Sequence, residues 1–144
     1  MLTVKLLAAG AKAPAVAHQG DLGYDLFAYQ SITLEPGDCG RKASTGIAVQ
    51  ATHPSTGQPL GLLIRDRSSM AARGVFVTGG VIDAGYRGEI IVVFNNLSSI
   101  PITINAGDKI AQMIPVEVLT SMVDVVDQLD DSSRADKGFG SSGR

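Results

Sequence analysis

The sequence predicts an all-β fold, either a sandwich, a jelly roll or a barrel. Short apolar or β-branched runs recur along most of the chain, as they do in strands. Gly, Pro, Asn or Asp separates these runs, and the chain contains 17 Gly and 6 Pro. Helical periodicity is almost absent. Many short strands with frequent turns and little helix are typical of the all-β architectures.

The predicted elements follow the chain in order. The first alternates in polarity, and the others are apolar or β-branched runs that end at turn residues. The predicted strands are Val4 to Leu7, Asp25 to Ala28, Ser31 to Leu34, Ala43 to Val49, Gly61 to Ile64, Gly74 to Val77, Ile90 to Phe94, Ile100 to Ile104 and Lys109 to Val118. One or two helical turns are predicted from Ser68 to Arg73, where a serine precedes good helix formers.

Composition limits the domain organisation and the class of function. A chain of 144 residues with 44% hydrophobic and 18% charged residues is expected to form one domain with a sizeable core. We predict this domain over residues 1–131 and a flexible tail over residues 132–144, because Ser, Gly and charged residues dominate the end of the chain. A net charge of -2 argues against nonspecific nucleic-acid binding.

Cysteine, histidine and hydropathy indicate the compartment. A single cysteine, Cys39, cannot form an intramolecular disulfide, so the chain needs no oxidising environment. The two histidines, His18 and His53, lie far apart in sequence and lack cysteine partners, so zinc-site spacing is absent. Since no run approaches the roughly 20 apolar residues that cross a bilayer, we expect a cytoplasmic protein without membrane contact.

The segment from Gly80 to Gly88 is the strongest candidate for chemistry. It places one carboxylate, Asp83, and one phenol, Tyr86, between glycines in a tight turn. The carboxylate could accept a proton from water, and the ring could lie flat against a small ligand. The alternative is an ordinary hairpin in which both side chains satisfy their own turn.

Three other segments could contribute to a binding site. In the segment from Arg65 to Ser69, a guanidinium, hydroxyls and free amides could converge on an anion, although a solvated strand end with a serine N-cap fits equally well. Gln112 is the one amide in an otherwise apolar strand, where a glutamine usually faces solvent. The tail carries one aromatic residue, Phe139, among glycines, serines and basic residues that could fold over a phosphorylated ligand.

Five segments in this order resemble the trimeric dUTPase family over nearly the whole chain. They are Gly23 to Leu26, Arg67 to Ser69, Gly80 to Gly88, Gly107 to Gln112, and Arg134 to Gly143. The resemblance implies a β jelly roll, assembly as a homotrimer, and hydrolysis of dUTP to dUMP and pyrophosphate with Mg²⁺.

The resemblance also implies roles for single residues. Asp83 would be the general base for the water that attacks the α-phosphorus, and Tyr86 would stack on the deoxyribose and exclude ribonucleotides. Backbone groups on both sides of Asp83 would read the uracil edge, namely those of Gly80, Val81, Ile82 and Ile91.

The phosphate and metal contacts are implied in the same way. The phosphates would be held by Arg67, Ser68, Ser69 and Gln112, in part from a neighbouring subunit. Mg²⁺ would be held by the triphosphate and by waters, with no direct protein ligand; Asp25 would touch its water shell or be structural. The tail would close over the nucleotide, and its contacts would come from Arg134, Phe139, Gly140, Ser141 and Ser142.

The second segment departs from the commoner family pattern, since Asp66 and Ser69 stand where Pro and Gly are usual. This departure raises a rival, the dCTP deaminase relatives of the same fold. That group carries a glutamate on the strand after the third segment and a histidine ahead of it, and the matching places here are apolar, near Val93 and at Phe76. A second alternative is a non-catalytic β-domain that binds a nucleotide or a partner protein through the same loops.

Overall fold

The computed structural model describes residues 1–132 and confirms the all-β prediction. Ten strands and one short helix occur in this part of the chain. They are β1 (Leu2–Leu6), β2 (Tyr24–Phe27), β3 (Ile32–Leu34), β4 (Arg41–Thr52), β5 (Pro59–Arg65), α1 (Ser68–Ala71), β6 (Val75–Thr78), β7 (Val81–Ile82), β8 (Glu89–Asn96), β9 (Ile102–Ile104) and β10 (Lys109–Glu117).

The strands form two antiparallel sheets. The larger sheet has eight strands in the order β2-β10-β5-β4-β8-β6, with β1 pairing with β4 and β7 pairing with β5. The smaller sheet consists of β3 and β9. Since β5 carries β10 along one edge and β7 along the other, β5 connects the two regions in which the candidate site residues lie.

Alternation of side chains buries one face of the central strands. In β8, Ile90, Val92, Phe94 and Asn96 are buried, and the residues between them are only partly buried. This period of two is what a strand with one face on the core requires. The fully buried side chains of the core come from most of the strands and include Leu26, Leu34, Ile47, Ile90, Phe94, Ile102, Ile110 and Met113.

The one buried amide of the core is fully satisfied. Asn96 is 0% exposed, and its Nδ2 donates to the carbonyl oxygens of Leu34 (2.9 Å) and Ile100 (3.0 Å). Each bond joins the end of β8 to a neighbouring segment. Because an unpaired buried amide would cost about 1 to 3 kcal/mol, this pairing makes a polar residue tolerable in the core.

The long strand β4 contains a bulge. The register of its pairing with β8 shifts between Ser44 and Ala48, and Gly46 lies in this interval with φ of 70°. A side chain there would be strained, and a Cβ would approach that of Ala11 to 2.8 Å. The bulge therefore requires glycine, and it leaves backbone groups free for a side chain to bind.

Most predicted elements are confirmed, and two details are wrong. The prediction gave no strand at Val81–Ile82, because two residues are too few to show alternation. The helix ends at Ala71 instead of Arg73, and its cap is Arg67, which makes no side-chain capping bond. Ser68 therefore lies inside the helix rather than capping it, since Arg67 is still extended (φ -82°, ψ 142°) where the chain leaves β5.

The chain runs on without regular secondary structure after β10. Residues 118–132 are exposed, and they carry seven large apolar side chains: Val118, Leu119, Met122, Val123, Val125, Val126 and Leu129. Within residues 1–132, no helix is long and apolar enough to cross a membrane.

Candidate active site

The carboxylate and the phenol lie in one tight turn directly after β7. The backbone N–H of Tyr86 donates to the carbonyl oxygen of Asp83 at 3.0 Å, which closes the turn. The Asp83 side chain accepts no hydrogen bond within the described part of the chain, and Asp83 is exposed. The turn therefore presents Asp83 to whatever binds there, and the alternative that its side chain satisfies its own turn does not hold.

Tyr86 is held by its hydroxyl while much of its ring stays accessible. Its Oη donates to the carbonyl oxygen of Glu89 at 3.1 Å, and 44% of the residue is exposed. The ring lies so close to Gly88 that a Cβ at this position would come within 2.6 Å of Cζ. A fixed and half-exposed aromatic surface of this kind suits stacking against a flat or compact ligand.

Gly80 allows the strand before Asp83 to approach β5. The backbone N–H of Ile64 donates to the carbonyl oxygen of Gly80 at 2.7 Å, next to the two ladder pairs of β7 with β5. A Cβ at Gly80 would overlap the carbonyl oxygen of Ile64. Glycine is required here by this close approach of two backbones.

The segment around Asp83 is not a hairpin in the ordinary sense. Strand β7 pairs with β5, and β8 pairs with β4 and, from Val93 onward, with β6. The edge of β7 that faces away from β5 therefore pairs with no strand in these ladders. The first half of β8, which includes Ile91, pairs with β4 on one edge and with no strand on its other edge. Their N–H and C=O groups are arranged as a sheet edge that a small planar molecule with donors and acceptors could fill.

A second group of candidate residues lies at the other edge of β5 and forms a compact charged cluster. Asp25 Oδ1 lies 3.2 Å from Arg67 Nε, and Asp25 Oδ2 lies 2.6 Å from Lys109 Nζ. Arg67 also donates from Nη1 to the carbonyl oxygen of Lys109 at 3.1 Å. The Asp25 side chain is only 14% exposed, whereas those of Arg67 and Lys109 are 32% and 40% exposed. The carboxylate thus orients two cations whose outer sides remain open to an anion.

Gln112 supports this cluster from β10. Its Nε2 donates to the carbonyl oxygen of Asp66 at 3.0 Å, and the residue is partly buried. The expectation that a strand glutamine faces solvent is therefore wrong for this residue. The bond fixes the backbone that leads from β5 into Arg67, a role that the sequence could not reveal because the partner is a carbonyl 46 residues away.

Clefts lie on both sides of Arg67, and both are also lined by Lys109. One has a volume of about 300 Å³, and its walls include Ser68, Gln112 and Asp25. The other, of about 330 Å³, is lined by Ser69 and by a further cation, Arg73. Lys109 and Arg73 were not among the site residues predicted from the sequence. Lys109 could have been predicted, because it lies within the fourth segment of the resemblance.

Asp83 and the Arg67 cluster lie beside opposite edges of β5. In the β5 ladders, Gln112 pairs with Arg65 along one edge, and Ile82 pairs with Leu62 along the other edge. Three residues along a strand span about 10 Å, and the two edge neighbours of one strand lie about 10 Å apart. The two halves of the candidate site therefore lie on opposite edges of β5 and are offset along it.

The described residues include no set of three or more His, Cys, Asp or Glu that could hold a metal ion. Asp25, the carboxylate nearest to the phosphate-binding candidates, is already paired with Arg67 and Lys109. The donor set fits a metal that arrives with an anionic ligand, and it does not fit a resident metal held by side chains alone.

A larger cavity, about 570 Å³, adjoins the turn that holds Asp83 and Tyr86, because Ala84 is one of its walls. Its walls include Leu60, Ala84 and Leu119, and it contains a pair in which His53 Nε2 lies 3.9 Å from Glu117 Oε1. None of the predicted site residues lines this cavity, although Ala84 lies between two of them in sequence, Asp83 and Tyr86.

Comparison with known proteins connects these features. The dUTPase family model matches residues 9–143. The chain is 44% identical over 139 residues to the deoxyuridine 5'-triphosphate nucleotidohydrolase of Mycolicibacterium gilvum, which covers 90% of this chain and 86% of that one. The chain belongs to the dUTPase family. The resemblance predicted from five short segments is thereby confirmed.

Solved structures of dUTPases have the same fold. A variant of the Staphylococcus bacteriophage 80alpha dUTPase with dUpNHpp has a TM-score of 0.89 and 26% identity, covering 100% of this chain and 99% of that one. A variant dUTPase from phage phi11 of S. aureus has a TM-score of 0.78 and 25% identity, covering 91% of this chain and 99% of that one, and is described as showing the coordination of a structural Mg(II) ion. These matches confirm a dUTPase-like all-β fold for this chain.

The remaining predicted residues of the site lie in the tail. Arg134, Phe139, Gly140, Ser141 and Ser142 fall outside the residues that the structure describes.

Proposed function

We propose that this protein hydrolyses dUTP to dUMP and pyrophosphate, and so limits uracil in DNA and supplies dUMP for dTMP synthesis. Membership of the dUTPase family over residues 9–143 is the observation that carries the proposal. The exposed Asp83 carboxylate, the half-exposed Tyr86 ring and the open cations of the Arg67 cluster supply the groups that such a reaction needs.

Asp83 acts as the general base. A water oxygen attacks the α-phosphorus in line, the bond from the α-phosphorus to the α,β-bridging oxygen breaks, and pyrophosphate leaves with that bonding pair. The proton of the attacking water passes to the Asp83 carboxylate. Exposure of Asp83 and the lack of a competing partner among the described side chains support this role.

The segments on both sides of Asp83 select the nucleoside. Backbone groups of Gly80, Val81, Ile82 and Ile91 that are not bonded to β5 or β4 pair with the uracil edge. Tyr86 stacks on the deoxyribose and leaves no room for a 2′-hydroxyl. A site built to pair with a base edge rejects other bases, because its own donors and acceptors would be left unpaired.

The Arg67 cluster holds the triphosphate. Arg67, Ser68, Ser69 and Gln112 contribute contacts, and Lys109 adds a positive charge beside Arg67. Mg²⁺ bound to the phosphate oxygens would neutralise the charge that develops on them. Asp25 is the carboxylate of this chain that would reach the metal through water, while its pairs with Arg67 and Lys109 keep both cations in place.

The active protein is a homotrimer with active sites shared between subunits. The placement of Asp83 and the Arg67 cluster on opposite edges of β5 supports this assembly, because a neighbouring copy could then supply one half of each site. The apolar side chains exposed from Val118 to Leu129 supply surface that an assembly would bury.

Residues 1–131 form the catalytic domain, and residues 132–144 close over the bound nucleotide. In this closure, Arg134, Ser141 and Ser142 contact the γ-phosphate, Phe139 lies against the uracil, and Gly140 is a further contact of the nucleotide. With one cysteine, the protein has no need for an oxidising compartment, and we place it in the cytoplasm.

The test is to incubate the purified protein with Mg²⁺ and, separately, with dUTP, dCTP, dTTP and UTP, and to separate the products. Formation of dUMP and pyrophosphate from dUTP alone is expected. Ammonia released from dCTP would instead assign the chain to the deaminase relatives, although the places that carry their glutamate and histidine are apolar here, near Val93 and at Phe76. No product from any nucleotide would overturn the proposal in favour of a binding domain.

A further inference from the structure

Glu89, the first residue of β8, binds the bulge of β4 with its carboxylate. Its Oε1 accepts a hydrogen bond from the backbone N–H of Gly46 at 2.7 Å and another from the hydroxyl of Ser44. Both donors lie where the register between β4 and β8 shifts. The carboxylate thus takes the place of the ladder bond that the bulge interrupts.

The partners of the bulge fix its position. Gly46 is buried and lies against Ala11 and the ring of Tyr29, which leaves no room for a side chain. Next to it, the hydroxyl of Thr45, which is 1% exposed, donates to the carbonyl oxygen of Ile90 at 2.5 Å. Hydrogen bonds therefore run from the bulge to both of the first two residues of β8.

The same residue, Glu89, accepts the hydroxyl of Tyr86 with its backbone carbonyl at 3.1 Å. The Glu89 carboxylate therefore anchors the backbone group that orients the Tyr86 ring. No other hydrogen bond of the Tyr86 side chain occurs in residues 1–132, so the orientation of the ring depends on this carbonyl and on its packing against Gly88.

We infer that Glu89 is a positioning residue for Tyr86, and that the link from the β4 bulge through Glu89 to Tyr86 sets how strictly the site excludes ribonucleotides. The inference rests on the proposed function, since it assigns Tyr86 to the sugar. Glu89 itself touches no reacting atom. It acts by holding the ring at the distance where a 2′-hydroxyl does not fit.

The test is the ratio of kcat/KM for dUTP to kcat/KM for UTP, measured for the full chain and for Glu89→Ala. Glu89→Ala removes the carboxylate that holds Glu89 to the β4 bulge, and this loss is expected to lower the ratio roughly threefold to tenfold. Glu89→Gln is the matched control, because Oε1 accepts both hydrogen bonds and the amide oxygen of glutamine can accept them as well. This variant should keep a ratio close to that of the unchanged protein.

A double-mutant cycle separates positioning from general destabilisation. Tyr86→Phe removes the hydroxyl that Glu89 accepts, so it should lower the ratio by itself, and adding Glu89→Ala should lower it little further. A fold that is merely weakened would reduce both kcat/KM values together and leave their ratio unchanged.

The outcomes distinguish the two proposals. If the unchanged protein hydrolyses dUTP and Glu89→Ala keeps the full ratio, the role of Glu89 is wrong while the proposed function stands. A fully additive cycle would also overturn the inference. If the unchanged protein hydrolyses neither nucleotide, the proposed function fails and the inference fails with it.

Discussion

Single residues show what each half of the site can do by itself. Asp83 is an exposed carboxylate in a closed turn, and Tyr86 is a ring fixed at its hydroxyl. The cations that would hold a triphosphate lie beside the opposite edge of β5. The chemistry of Asp83 and Tyr86 therefore depends on a ligand that bridges both halves.

Asp83→Asn tests the base. We expect turnover of dUTP to fall about 10²- to 10⁴-fold, because the amide cannot take the proton of the attacking water. The affinity for dUTP, measured by calorimetry, should change little, since the side chain keeps its size. Asp124→Asn, on the exposed segment after β10, is the control and should match the unchanged protein. Equal losses of binding and turnover in Asp83→Asn would rule out the role.

Gly80→Ala tests the close approach of β7 to β5. The added methyl group would overlap the carbonyl oxygen of Ile64, so we expect a loss of roughly 1 to 3 kcal/mol in the free energy of unfolding and weaker dUTP binding. Gly85→Ala is the matched control, because a Cβ at Gly85 meets no atom within 4 Å. Chemical denaturation of both variants provides the comparison, and equal stabilities would contradict this reading of Gly80.

At the scale of secondary structure, the charged cluster joins three elements that are distant in sequence. Asp25 comes from β2, Lys109 from β10, and Arg67 caps α1 after β5. Their ion pairs form because β2, β10 and β5 are neighbours in the sheet. The cluster is therefore a product of topology.

Arg67→Lys tests the geometry of this cluster. Arg67 contacts Asp25 through Nε and the Lys109 carbonyl through Nη1, and a lysine ammonium cannot make both contacts from one position. We expect the KM for dUTP to rise about tenfold. Arg65→Lys makes the same charge-conserving substitution two residues away, at the exposed end of β5, and should leave KM nearly unaltered. Similar KM values for the two variants would remove Arg67 from the phosphate site.

Deletion of residues 132–144 tests the tail. The described strands and core lie before this segment, so the midpoint of thermal unfolding should stay nearly unchanged. Turnover should fall strongly, since the closure that we propose would be lost. A truncated protein that no longer folds would show that the tail is structural.

The strands were predictable, and the contacts between them were not. Runs such as Ile90 to Phe94 predicted strands because a half-buried strand needs apolar residues at alternate positions. The pairing of Asp25 with Lys109 spans 84 residues, and no local pattern encodes it. Likewise, the resemblance assigned Asp83 and Tyr86, but the support of Tyr86 by Glu89 appears only when β4 and β8 are placed side by side.

For the whole molecule, the central feature is that one chain carries the proposed base beside one edge of β5 and the proposed phosphate-binding cations beside the other. In the homotrimer that we propose, a neighbouring copy would supply one half of each site, and the assembly would bury the apolar side chains exposed after β10. Light scattering of the purified protein should give three times the chain mass of 14.9 kDa. A monomer that is fully active would contradict the assembly.

The measurement that tests this account most directly is activity in mixed assemblies. Asp83→Asn and Arg67→Ala proteins, each inactive alone, are unfolded, mixed in equal amounts and refolded together. If each site takes Asp83 and Arg67 from different copies, random mixing leaves both residues intact in about a quarter of the sites, and dUTP turnover should return to about that fraction. If mixing restores no activity, although both proteins refold and assemble, the two halves do not form a shared site and the account is wrong.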